Sequence, residues 1–205
     1  MNELYALRPG AFISTAKDEG LSFFFICTYL FLEYVRPQSI YEGLDILPWV
    51  PIVLFFTIVF AFSQGDFRVD TSCVLNKLFH FYAIIVIASI LFSSYSELSV
   101  KNLRTFFDWY IIYFLITKIV NKEKRFFIFF CLFLLFSFKM SQHGFVSWAR
   151  RGFSYQGWGV TGAPGWFHNS GEVGIQMCIF VPLSVAFTWG VHRYVTKPLM
   201  AVILL

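Results

Sequence analysis

KMSQHGFVSWARRGFSYQGWGVTGAPGWFHNSGE, residues 139–172, lies between two apolar runs, FFIFFCLFLLFSF at 126–138 and VGIQMCIFVPLSVAFTW at 173–189. The two flanking runs are apolar enough to live in lipid. The stretch between them holds Arg150, Arg151, His143, His168, Asn169 and Glu172, three Trp and a run of Gly. A polar, Gly-rich, cationic loop hung between membrane helices is a place where a membrane protein meets a charged substrate.

Composition points the same way. Of the 205 residues, 58% are hydrophobic and only 14% are charged, with 28 Phe and a mean hydropathy of +0.66. A soluble domain is about 45–50% apolar and about 25% charged. This chain has too little polar surface to coat a globule in water, so an integral membrane protein is the natural class. The net charge of +4 is modest and contains no long basic run. It suits loops beside lipid head groups, and nucleic acid is not an expected partner. Cys27, Cys73, Cys131 and Cys178 are far apart, without the C-x-x-C spacing of a zinc or redox site, and read as packing residues. No metal cluster, nucleotide-binding loop or hydrolase motif is found, and no cofactor is expected.

Six apolar stretches are read, at about 21–35, 46–62, 78–92, 105–120, 126–138 and 173–189, and a seventh begins near Lys197. The expected fold is all-α, a polytopic transmembrane helix bundle of about six spans plus the start of a seventh. The first run reads as a retained membrane helix, because no cleavage signal follows it. Several cores fall short of the roughly 20 residues a helix needs to cross the hydrocarbon, so their flanks must complete the crossing. The run at 126–138 is the shortest, and a re-entrant segment is its alternative. The chain reads as the N-terminal part of one longer integral membrane domain, 1–205, because MAVILL ends inside an apolar run.

With alternating crossings, ten of the 16 Lys and Arg fall on the side of the N-terminus and six on the other. The positive-inside rule then puts the N-terminus in the cytoplasm and 139–172 outside. Lys139, Arg150 and Arg151 run against that bias, which suggests a use for them. Lys118, Lys122, Lys124 and Arg125 read as a topogenic patch on the inner face.

Three groups of residues carry candidate chemistry. Eight of the 13 Gly lie between Gly144 and Gly174, where a backbone can bend close to a ligand. Beside them, Arg150 and Arg151 supply planar forks suited to phosphate oxygens. In GWFHNSGEVG, 165–174, Asn169 or Ser170 caps a helix with Glu172 in its first turn. Alternatively, Asn169 and Glu172 face a cavity and hold a sugar hydroxyl, with Glu172 as a base. His168 sits at the same helix mouth. Glu33 and Arg36, three apart, either pair on one helix face or leave Arg36 to meet an anionic lipid-linked substrate. Arg104 and Asp108 read as a further pair.

A first span ending in LEYVRPQSIYEGLDILPWV, followed by short aromatic helices and then G-W-F-H-N-S-G-E opening a helix, resembles the O-antigen ligase and polymerase-like superfamily. The nearest branch is the O-glycosylation ligases associated with the exosortase system. Arg36-Pro37 matches the R-P element of that branch, and Gly165 to Asn169 matches its G-F-x-N-x-N-like stretch. Ser170-Gly171-Glu172 departs from the commoner Pro-Asn or Asp-Asn continuation, which leaves the role of Glu172 open. The resemblance implies a bundle of roughly a dozen helices that transfers a polyprenyl-diphosphate-linked glycan to a lipid or protein acceptor. The reaction would run on the outer face of the bacterial inner membrane, without a metal. It also implies that the catalytic Arg and His lie beyond residue 205, so that 1–205 alone lacks transferase activity. On this reading Arg36, Arg150, Arg151, His168, Asn169 and Glu172 contact substrate. The competing classes are a polymerase of the same superfamily, a lipid-linked sugar flippase, and a purely structural membrane subunit.

Overall fold

The computed structural model describes residues 10, 14, 18–44, 46–66, 73–94, 96–154, 159–160, 162, 167 and 169–191. The described residues are helical, with no strand among them. Helix α1 is Leu21–Tyr34, α2 is the single turn Pro37–Ile40, and a 3-10 turn follows at Glu42–Leu44. Then come α3 (Trp49–Ser63), α4 (Val74–Leu91), α5 (Ser96–Ile119), α6 (Glu123–Arg150) and α7 (Ser170–Val191). The long helices fall where the six apolar stretches are read. Three are long and apolar enough to cross a membrane: Val74–Leu91, Glu123–Arg150 and Ser170–Gly190. The seventh stretch lies outside the described residues.

Helix α3 starts where Pro48 precedes it, and the Trp49 indole donates to Leu44 O at 2.6 Å, pinning the turn that leads in. Its most extensive packing is against α1, and both touch α5, while α6 packs on α1 and on α7. Phe23, Ile26, Tyr29 and Leu32 of α1 meet Val53 and Ala61 of α3, Leu115 and Ile119 of α5, and Ile128 of α6 in one core. Helix α4 leans on α5 through stacked rings, with Phe79 4.5 Å from Tyr113 and 5.4 Å from Tyr110. Along that seam Tyr113 donates to Asn76 at 2.9 Å, and His80 Nδ1 hydrogen-bonds the Tyr110 hydroxyl. Outward faces are strongly apolar: Phe24, Phe55, Phe62, Leu91 and Phe92 are more than half exposed. That is the surface a lipid solvent covers and that water-soluble monomers rarely present.

One expectation changes. Residues 139–150 are not loop: α6 runs unbroken for 28 residues, from Glu123 to Arg150. At 1.5 Å per residue this is about 42 Å, longer than the hydrocarbon thickness of about 30 Å. Ser137, Met140 and Gly144 are buried at i, i+3 and i+7, while Lys139, Gln142, His143 and Arg150 stay exposed. The apolar run ends at Phe138, but the helical period does not. A re-entrant segment at 126–138 is therefore also set aside. Residues 170–172 likewise belong to α7.

Candidate functional site

At the far end of α6 the chain stops by a Schellman motif. Gly152 has φ +67. Its N–H donates to Ala149 O at 3.0 Å, and the Phe153 N–H reaches back to Trp148 O at 3.2 Å. The accompanying apolar contact is Phe153 against Trp148, ring centroids 4.9 Å apart and edge to face. Arg151 braces this turn. Its Nε donates to Ser147 O at 3.3 Å and its Nη2 to Gly159 O at 3.2 Å. Arg150, about 100° further round the helix end, is also exposed. Two adjacent arginines thus have different roles: one fork closes the turn, and the other faces outward.

Gly159 brings this turn to the start of α7. It has φ +83, and a methyl group placed on it would come within 3.2 Å of Ser170 Cβ. Asn169 is the helix cap, as the first of its two readings has it: its Oδ1 accepts the Gly171 N–H at 3.0 Å, and its carbonyl accepts the first intrahelical bond from Val173 at 3.2 Å. Glu172 is exposed in the first turn, at the positive end of the helix dipole. His168, Trp158 and Trp166 lie outside the described residues. Just before α7, Phe167 O accepts the Gly162 N–H at 2.8 Å, and the Phe167 ring stands 5.4 Å from Tyr34.

That contact brings in the end of α1. Arg36, two residues past Tyr34, has φ +50 and ψ +54, a left-handed conformation that costs a non-Gly residue about 1–3 kcal/mol. Its Nη2 is 3.6 Å from Glu33 Oε1, and its Nε donates to Glu33 O at 3.4 Å. The pairing reading of Arg36 is therefore the one observed. Gln38 anchors the following turn through Leu32 O at 3.1 Å, while its own Oε1 is buried without a hydrogen-bond partner. Arg104 and Asp108, by contrast, form no ion pair among the described residues.

The structure thus gathers the end of α1, the end of α6 and the start of α7 at one end of the bundle. The opposite end holds a site that reading the sequence did not find. Arg125, only 4% exposed, donates from Nε to Glu19 Oε2 at 2.8 Å and from Nη2 to Glu19 O at 2.7 Å. Its Nη1 donates to Asp66 Oδ1 at 3.2 Å and to Ile119 O at 2.9 Å. The Ser22 hydroxyl donates to Asp66 Oδ2 at 2.5 Å, and the Gln64 amide lies 2.8 Å from that hydroxyl. Lys122 adds a looser contact to Glu19 at 3.5 Å. Arg125 is thus no member of a solvated patch: it is the hub joining the entry to α1, the exit from α3, the end of α5 and the start of α6. The available signal was positional. Glu19 precedes the first apolar run, Asp66 follows the second and Arg125 precedes the fifth, all on one expected side.

Between α6 and α7, buried Gln176 donates to buried Ser137 at 3.0 Å. Phe187 of α7 meets Phe127 and Phe130 of α6 near its other end, so the two helices run antiparallel. No family model matches the chain, and neither a curated protein nor a solved structure does.

Proposed function

We propose that this chain is the carrier-side part of a membrane glycan ligase of the O-antigen ligase-like kind, acting on the outer face of the bacterial inner membrane. The N-terminus is cytoplasmic, and six helices span, with α1, α3 and α5 completed by their flanks. The observation that carries the reading is the convergence of the motif-bearing ends of α1, α6 and α7, which joins the R-P element to the N-S-x-E element through Tyr34 and Phe167.

The donor is a glycan on polyprenyl diphosphate. In the transfer, the bond from the anomeric carbon to the diphosphate oxygen breaks, and the diphosphate leaves with the electron pair. An acceptor hydroxyl forms the new bond and gives its proton to a base. Arg150 neutralises charge on the leaving group. Arg36 can join it only by releasing Glu33. Arg151 holds the turn that presents Arg150, and Asn169 fixes the start of α7. Glu172 repels the diphosphate if ionised, so its place is on the acceptor side, as a base or a hydroxyl acceptor.

The test is donor affinity of correctly inserted full-length protein. A charge-assisted contact to phosphate is worth about 1.5–3 kcal/mol, so Arg150→Ala should weaken donor binding by roughly tenfold or more. Arg150→Lys keeps the charge but loses the fork and should recover only part of the loss. Unchanged affinity in both variants would sink the reading.

A further inference from the structure

We propose that the exposed face of α6 from Lys139 to Arg150 is a lipid-phosphate site, which seats the head group of an anionic membrane lipid in the leaflet away from Arg125. This inference stands on α6 crossing a membrane and does not require the transferase reading. Lys139, Gln142 and His143 line a cleft of about 380 Å³ together with Phe145 and Val146. Lys139, His143, Val146 and Arg150 are spaced by four, three and four residues, so they form one stripe along the helix. All four are exposed, and the segment from Lys139 to Arg150 itself holds no acidic residue.

Depth selects the occupant. From Lys124 to Lys139 the exposed positions of α6 are only Phe126 and Leu135, 59% and 57% exposed. At 1.5 Å per residue that apolar belt spans about 22 Å, and His143 lies about 28 Å from Lys124. A hydrocarbon layer of about 30 Å counted from Lys124 then puts Lys139 about 8 Å inside its boundary and His143 just short of the head groups. A Lys there extends its ammonium toward the phosphate level while its stem stays in lipid. Beside it, Gln142 offers an amide donor, exposed Leu135 one turn deeper offers an apolar flank for the acyl chain, and Phe145 and Val146 sit at head-group level. A phosphate on a diacyl or polyprenyl anchor meets all these features, whereas a free phosphate would leave the apolar flank unused.

The experiment uses the whole chain in phosphatidylcholine nanodiscs containing a minor fraction of spin-labelled phosphatidylglycerol, with spin-labelled phosphatidylcholine as reference. The motionally restricted fraction reports the relative association. Each basic group near the surface is worth about fivefold in association with an anionic lipid, so the wild-type chain should prefer phosphatidylglycerol by at least that factor. Lys139→Ala with His143→Ala should bring the preference down several-fold, Lys139→Arg should retain it, and Lys118→Ala should leave that part of it intact. Equal association of the two lipids with the wild-type chain overturns the proposal without any variant. So does a preference that survives the double substitution in protein of unchanged helicity. Full displacement of the label by inorganic pyrophosphate would assign the cleft to free phosphate and also overturn it.

Discussion

Arg125 is the residue on which its end of the bundle turns. Removing a buried guanidinium from between two carboxylates and two backbone carbonyls leaves the carboxylates charged without their counter-ion and the carbonyls short of a donor. Breaking such a buried network from one side costs about 3–5 kcal/mol. Arg125→Met should therefore lower the thermal midpoint of the detergent-solubilised protein sharply. Arg125→Lys, which cannot reach four acceptors in one plane, should recover only part of it. Glu19 supplies the pH dependence. Desolvation by burial raises its pKa, but the hydrogen bond from Arg125 and the charges of Lys122 and Arg125 outweigh it and hold the carboxyl below its usual 4.5. A depressed folded-state value stabilises the protein above the unfolded value and loses that contribution as pH falls through the folded one. Unfolding midpoints should thus be flat above about pH 4.5 from this group and fall below it, with a smaller fall in Glu19→Gln. The cluster Lys118, Lys122, Lys124 and Arg125 gave no hint of this, because it read as a topogenic charge patch. What buries Arg125 is contributed by Glu19 and Asp66, 106 and 59 residues away.

At the scale of an element, α6 shows why mean hydropathy misplaced a boundary. Residues 139–150 are polar on average, so they read as the beginning of a loop. Their period of three and four was legible all along in Ser137, Met140 and Gly144, and it matches the face that packs on α7. The cap at Gly152 was equally written in the sequence, as Arg-Arg-Gly-Phe after an aromatic. The partner contact, Trp148 on Phe153, needs the fold to be seen. A methyl group at Gly152 would meet nothing within 4 Å. The cost of Gly152→Ala is therefore conformational, about 1–2 kcal/mol for a left-handed L-residue. Limited proteolysis should show faster cutting near 151–154 in that variant, with Gly152→Asn intermediate; equal rates for all three would contradict the cap. The Ser137–Gln176 bond deserves a smaller expectation. Hydrogen bonds between membrane helices average about 0.6 kcal/mol, so Ser137→Ala should shift the unfolding midpoint only slightly.

For the whole molecule, helix existence and order were readable from apolar runs, because each run is long enough to declare itself without tertiary context. The number of crossings was not, since α1 and α3 have 14 and 15 residues, about 21–22 Å of helix, and α5 carries charges along its first half. The two ends of the bundle nonetheless differ in chemistry: one buries Arg125 with Glu19 and Asp66, and the other holds Arg36 paired with Glu33, and exposed Arg150 and Glu172 beside the Asn169 cap. Cysteine placed at Ser154, in a background without the four native Cys, should react with a membrane-impermeant maleimide from the periplasmic side of intact cells. A second cysteine at Lys122 should react only after permeabilisation. The reverse pattern would invert the orientation.

The carboxylates around Arg125 are made long before it. Translation at about 5–20 residues per second takes roughly 3–12 s to travel from Asp66 to Arg125. Asp66 therefore emerges from the ribosome that much earlier than Arg125, and α1 and α3 wait with two acids at their ends and no Arg125 to close on. The first helical pair is thus an unfinished structure for several seconds of its biogenesis, held by its apolar packing and by the Ser22 bonds to Gln64 and Asp66. The network around Arg125 can close only when the fifth long helix arrives.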